Sequence, residues 1–313
     1  MLVEIKKLIK RYNGVLAVDQ VDLGIREGEI FGLLGPNGAG KTSLINTLLG
    51  LVQMNGGSMK IFGKPLPDSE MEVKKDLGVV PQEVAIYEDL TAYENVAFFG
   101  KLYGIKPSNL KEQVQEALNF TGLWERRGEL PSRFSGGMKR RLNIACAIVH
   151  RPRLIVMDEP TVGIDPQSRN HILDSVRQLN QDGATVLYTS HYMEEVEALC
   201  TRIAIMDQGK VIARGTREEL KELVAGEEKV HLKLTEAIPD SKERLGKLQQ
   251  VPGVLHYHVA DDTVTVTSNR ESQDLSAIIE AVTSVGGSIK SVDIEKPTLE
   301  TVFLTLTGKR LRD

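Results

Sequence analysis

Along residues 1–30 apolar and polar positions alternate in two short stretches, "LVEIKKLIKRY" and "VLAVDQVDLGI". A period of two marks half-buried strands, and the two stretches predict an antiparallel pair. The pattern then changes. "IFGLL" (30–34) is a continuous apolar run, the form of a strand covered on both faces, and apolar residues then recur at helical spacing from Thr42 to Leu49. "LGVVPQ" (77–82) predicts another strand, and "LIVMDEP" (154–160) and "TVLYTSH" (185–191) two further buried strands. Helical periodicity holds from about 84 to 130, in "AYENVAFFGKLYG" and "NLKEQVQEALNFTGL", and again in "MKRRLNIACAIVH" and "RNHILDSVRQLNQDG". Buried strands alternating with helices predict an α/β fold with a mostly parallel sheet covered on both faces.

A boundary falls near "VAGEEK" (224–229). Beyond it come a strand "KVHLKLT", a helix "SKERLGKLQQ" and a strand "VLHYHVA". A turn "ADD", a strand "TVTVTS", a helix "DLSAIIEAVTSVGG" and a strand "SIKSVDIE" follow. That order, β-α-β-β-α-β, predicts a small ferredoxin-like α+β domain, and "TLETVFLTLTG" adds a last helix after Pro297. The expected domains are residues 1–224 and 229–313, as a length of 313 residues suggests.

Composition narrows the class only a little. Hydrophobic residues make 41% and charged residues 26%, ordinary for a soluble domain, and the net charge of −4 argues against a nucleic-acid partner. Cys146 and Cys200 lie in apolar stretches without metal-ligand spacing, so two reduced core thiols in a cytosolic protein are expected. No apolar run reaches the roughly 18 to 20 residues of a membrane span.

The chemistry concentrates where the first buried strand meets its helix. "GPNGAGKT" fits G-x-x-x-x-G-K-[ST] at Gly35, Gly40, Lys41 and Thr42, with Pro36, Asn37, Gly38 and Ala39 between and Ser43 next. Backbone N–H groups of such a loop, opening a helix, cradle phosphates. The lysine reaches the β and γ phosphates, and the Thr42 hydroxyl suits Mg²⁺. Asp158, at the carboxyl end of "LIVMDEP", is the expected acid near that ion, and Glu159 the group that polarises a water. In "RFSGGMKRRL" Ser135, Gly136 and Gly137 precede a helix with basic first turns. They read either as an N-cap or as a second anion site.

Together these motifs resemble the ATP-binding subunits of ABC transporters, with "FSGGM" similar to the LSGGQ signature of that family. The resemblance runs from residue 2 to about 224. It implies a P-loop ATPase fold with an antiparallel β subdomain and a helical subdomain at about 84–150. It also assigns roles: Tyr12 stacks on adenine, Gln82 links Mg²⁺ and the attacking water to a membrane partner, Asp165 of "GIDP" lies on the loop crossing the dimer, and His191 contacts the γ phosphate. Glu159, His191 and Gln82 form the implied catalytic set, and Thr42, Gln82 and Asp158 the implied metal set. Each ATP is expected between the phosphate loop of one chain and the signature of another, in a head-to-tail homodimer.

"IYEDLTAYENVAFFGKLYGI", "DEPTVGIDPQSR" and the tail "KPTLETVFLTLTGKRLRD" resemble the ABC-2 exporter branch. That branch implies a cytoplasmic ATPase, peripheral on the inner face of the cell membrane. It would drive efflux of a drug, antibiotic, lipid or polysaccharide through a separate ABC-2 type transmembrane subunit. Two alternatives stay open: a soluble ABC ATPase acting on ribosomes or DNA, and an ATPase regulated by a ligand of its C-terminal domain.

Overall fold

The computed structural model describes residues 1–224, 227–238, 244–269, 272, 274–295 and 298–308. The chain divides into two compact units, with the change at Arg217 and Glu218.

In the first unit β1 (Val3–Tyr12) and β2 (Val15–Ile25) pair antiparallel, as their alternation predicts. With β4 (Gly56–Ile61) and β5 (Lys64–Leu66) they form a sheet in the order β2-β1-β4-β5. The second sheet holds β3 (Ile30–Leu34), β6 (Leu77–Val80), β7 (Leu154–Asp158) and β8 (Thr185–Thr189). The hairpin of β9 (Arg202–Asp207) and β10 (Lys210–Gly215) completes it. Its order is β10-β9-β3-β8-β7-β6, parallel throughout except for the β9–β10 pair. Strands β3, β7 and β8 are buried at every residue, which is why their interiors are apolar runs, with polar residues only at strand ends. β6 stops at Val80 because Pro81 has no N–H to continue the ladder.

Helices fill the connections. α1 (Lys41–Leu48) follows the glycine turn, and α2 (Glu70–Lys74) is a short helix before β6. The helical subdomain comprises α3 (Ala92–Leu102), α4 (Pro107–Phe120) and α5 (Gly136–Ile148). α3 begins at a capping box: Thr91 accepts from the Glu94 N–H, and the Glu94 side chain accepts from the Thr91 N–H. α6 (Pro166–Gln181) and α7 (Met193–Leu199) flank β8 in sequence, and α8 (Arg217–Glu222) begins at the change between the units.

The second unit carries an antiparallel sheet of β11 (Glu227–Leu234), β12 (Val254–Ala260), β13 (Thr263–Asn269) and β14 (Ile289–Glu295) in the order β12-β13-β11-β14. This is the ferredoxin-like arrangement. Val230, Leu232, Val264 and Val266 of the sheet pack with Ile278 and Val282 of α9 (Leu275–Thr283). One detail differs from expectation. In the segment "SKERLGKLQQ", residues 241–243 lie outside the described residues, and Leu245–Gln250 form a 3-10 helix. Gly246 lowers α-helical preference there, and the turn at Val251–Gly253 leaves little length. The last helix, α10, spans Leu299–Thr307, with Pro297 outside the described residues.

Candidate active site

Because β6, β7, β8 and β3 run parallel, their carboxyl ends lie along one edge of the sheet, where ligands of such folds bind. Each strand ends in one of the expected residues: Gln82 follows β6, Asp158 and Glu159 end β7, His191 follows β8, and the glycine turn follows β3. The side chains meet on Glu159. Its Oε2 lies 3.3 Å from His191 Nδ1 and 3.4 Å from Gln82 Nε2, and its Oε1 lies 3.8 Å from Lys41 Nζ. Lys41 also donates to the carbonyls of Gly35 (2.7 Å) and Pro36 (3.2 Å).

Lys41, Asp158 and Glu159 are all buried. Burial pulls the Lys41 pKa down, against the opposing pull of Glu159 and then Asp158. Burial pushes the Asp158 carboxyl up, while the hydrogen bond from Thr189 and the charge of Lys41 hold it down. Asp158 Oδ1 accepts the Thr189 hydroxyl at 2.6 Å, and Thr189 Oγ1 accepts the Glu159 N–H at 2.9 Å. Thr189 and Asp158 are register partners across β7 and β8, so one cross-strand threonine anchors both acids. The anchoring matters because Glu159 has φ 47°, a left-handed conformation costing a side-chain residue on the order of 1 kcal/mol.

The phosphate-loop residues divide by exposure. Asn37, Gly38 and Thr42 face solvent, whereas Gly35, Pro36 and Ala39 are buried and Gly40 and Ser43 are half-buried. Gly40, with φ 99°, could take no side chain: a Cβ would sit 2.3 Å from the Ala17 carbonyl oxygen. Tyr12 ends β1 with its ring 40% exposed and the Lys10 ammonium 4.7 Å from its centroid.

The signature residues form a second cluster. Ser135 caps α5, its Oγ accepting the Met138 N–H at 3.3 Å, and Ser135 and Gly136 are exposed. Gly137 is buried against the start of α6: a Cβ on it would lie 2.2 Å from Ser168 Oγ and 3.4 Å from Asp165 Oδ2. Asp165 in turn caps α6, and the hydrogen bonds from Ser168 hold its carboxyl below the usual range. The structure therefore brings Ser135, Gly136 and Gly137 beside Asp165. Among the described residues no hydrogen bond or ion pair joins this cluster to Lys41 or Glu159.

Two family descriptions match the chain: "ABC transporter" over residues 18–162, and "ATP-binding protein DrrA1-3-like, C-terminal domain" over residues 215–307. The linearmycin resistance ATP-binding protein LnrL of Bacillus subtilis (strain 168) is 41% identical over 312 residues, covering 100% of both chains. The chain belongs to the ABC transporter ATP-binding proteins. Another relative of this ABC ATPase, the Nod factor export ATP-binding protein I of Cupriavidus pinatubonensis, is 35% identical, covering 100% of this chain and 92% of its own. A solved dimeric ATP-binding cassette in a post-hydrolysis state, bound to ADP and Pi, superposes with TM-score 0.63, at 26% identity over 68% of this chain and 98% of its own. This chain is thus an ATP-binding and ATP-hydrolysing protein with the ABC fold.

Some residues of the candidate site carry no sequence motif that would single them out. Thr189 is one. Another is Arg140, whose guanidinium donates to the carbonyls of Pro81 (2.6 Å) and Gln82 (2.5 Å) and so holds the backbone of Gln82. The only signal for Arg140 was the basic character of a helix N-terminus.

Proposed function

We propose that this ATPase energises export of a drug, antibiotic, lipid or polysaccharide through a separate ABC-2 type membrane subunit, held at the inner face of the cell membrane. The relatives, a linearmycin resistance protein and a Nod factor export protein, support an export role with a cargo that differs from member to member. A surface suited to a partner supports it too. A groove of about 550 Å³ lined by Leu51, Met71, Val79 and Leu102 opens beside the helical subdomain, and Tyr87 and Phe98 expose an edge-to-face aromatic pair.

The observation carrying the catalytic reading is the convergence of Lys41, Gln82 and His191 on Glu159. Glu159 Oε2 is the proton acceptor for the attacking water, with His191 and Gln82 bracketing that oxygen. Lys41 and the N–H groups opening α1 bind the phosphates. The donor set fits Mg²⁺: Thr42 and Gln82 are exposed, and Asp158 keeps Oδ2 free of the Thr189 bond. Among the described residues no group of three His, Cys, Asp or Glu could hold a metal, which suits an ion shared with phosphate oxygens. Bound there, Mg²⁺ would neutralise phosphate charge. The two separate clusters support two chains pairing head-to-tail around two ATP.

Glu159→Gln tests the catalytic reading. Turnover should fall about a hundredfold or more while ATP still binds and drives dimerisation on gel filtration. Wild-type turnover would refute it. The export reading is checked by reconstituting the chain with a candidate ABC-2 type membrane subunit and measuring ATP-dependent efflux from vesicles; no efflux above that of the membrane subunit alone would count against it.

A further inference from the structure

Glu195, in the first turn of α7, is a carboxylate only 3% exposed that belongs to none of the motifs above. Its Oε2 accepts three hydroxyls: Tyr188 and Ser190 at 2.8 Å each and Thr161 at 2.9 Å. Arg169 Nε lies 3.4 Å from Oε1, an ion pair without a hydrogen bond. Attraction to the N-terminus of a helix does not require this burial, since Glu194 in the same turn is exposed. A buried carboxylate persists only where its partners are fixed, so the arrangement ties those partners to one another.

What it ties together is the catalytic edge. Ser190 directly precedes His191, Thr161 stands two residues after Glu159, and Tyr188 directly precedes Thr189, the anchor of Asp158. The Tyr192 N–H donates to Ser190 Oγ at 2.9 Å. The Arg169 guanidinium lies 4.4 Å from the Tyr192 ring centroid, and that ring lies 4.3 Å from the His191 ring. The residues on both sides of His191 are therefore linked to one carboxylate, and its imidazole stands between the Tyr192 ring and Glu159.

We propose that Glu195 is a positioning residue for hydrolysis, holding the Ser190–Tyr192 segment so that His191 Nδ1 faces the Glu159 carboxylate. The role rests on the reading of Glu159 and His191 as catalytic. An amide in place of the carboxylate cannot accept all three hydroxyls on one oxygen and also face a guanidinium with the other group. The phosphate loop makes no hydrogen bond to this cluster among the described residues, so nucleotide affinity should not follow.

The test is a double-mutant cycle on the full chain, read by single-turnover hydrolysis and by ATP affinity. Glu195→Gln should lower the hydrolysis rate tenfold or more and leave ATP affinity within twofold. In a His191→Ala background the same change should cost less than twofold, because the group it positions is gone. Tyr188→Phe removes one of the three hydroxyls at nearly constant volume. It should slow hydrolysis two- to threefold, again only while His191 is present, and it carries the test if Glu195→Gln does not fold. Equal losses in both backgrounds, or an unchanged rate in both Tyr188→Phe and a folded Glu195→Gln, overturn the positioning role alone. Full hydrolysis by His191→Ala overturns the catalytic reading of His191 with it.

Discussion

His150 shows how a single ring becomes a pH liability. It stacks on Tyr103 at 3.5 Å with an interplanar angle of 4°, and its Nε2 lies 2.9 Å from the Leu77 carbonyl oxygen. That oxygen only accepts, so Nε2 carries the proton and donates. Nδ1 is buried without a partner. Burial lowers the pKa from 6.5 to about 4, with the Leu77 hydrogen bond and Asp76 pulling the other way. The folded state then binds fewer protons than the unfolded state between those values, and stability falls as pH falls from 6.5 toward 4. The loss from this group should be about 2 kcal/mol at pH 5. Melting curves from pH 7 to 5 should therefore drop more steeply for the wild type than for His150→Phe. Parallel curves would mean that the ring takes up its proton without cost.

At the scale of elements, α5 grips the segment after β6 through three side chains. Arg140 holds the carbonyls of Pro81 and Gln82, Asn143 accepts the Ala85 N–H at 3.2 Å, and Lys139 pairs with Glu88 at 2.5 Å. These contacts differ in worth. Arg140 is 3% exposed, so Arg140→Met strands two carbonyls and should cost about 2–4 kcal/mol in urea unfolding. Lys139→Met breaks a pair in which Glu88 is 58% exposed and should cost under about 1 kcal/mol. Equal costs would deny the grip.

The same elements mark where sequence was enough and where it was not. β3, β7 and β8 were legible because full burial writes an apolar run through the strand interior, and α6 because one face is apolar over sixteen residues. β4, β5 and α2 were missed between residues 50 and 76, since stretches of three to six residues are too short for a period to emerge. α7, β9, β10 and α8 also went unassigned. The β9–β10 hairpin did have a readable turn, in which Gln208 and Gly209 both take positive φ. The Lys41, Asp158, Glu159 and His191 positions stood out by motif. Thr189, Arg140 and Glu195 act through contacts 31, 58 and 34 residues away, and no local pattern encodes such distances.

For the whole molecule, the proposed sharing of one ATP between two chains makes a test by mixing possible. Ser135→Arg should still bind ATP, because Lys41 and its loop are untouched, but it should fail to close the dimer and hydrolyse. Lys41→Ala should lose binding and hydrolysis together. In a mixed head-to-tail dimer one site carries both defects and the other neither, so the mixture should regain a measurable part of wild-type turnover. No recovery, together with normal hydrolysis by Ser135→Arg alone, would reduce the Ser-Gly-Gly segment to a helix cap.

The backbone beneath the phosphate loop points to a different kind of experiment. Gly40 lies against the Ala17 carbonyl, the Asp19 N–H donates to the Gly209 carbonyl at 2.8 Å, and the Gly209 N–H donates to the Ala39 carbonyl at 3.0 Å. The strand leading from Tyr12, the loop and the β9–β10 turn are thus riveted by main chain alone. In heavy water, those two amides should exchange slowly whether or not nucleotide is bound, while the tip at Asn37 and Gly38 exchanges quickly until it is occupied. The anvil under the phosphates would be standing before the ligand arrives, leaving only its rim to be ordered by binding.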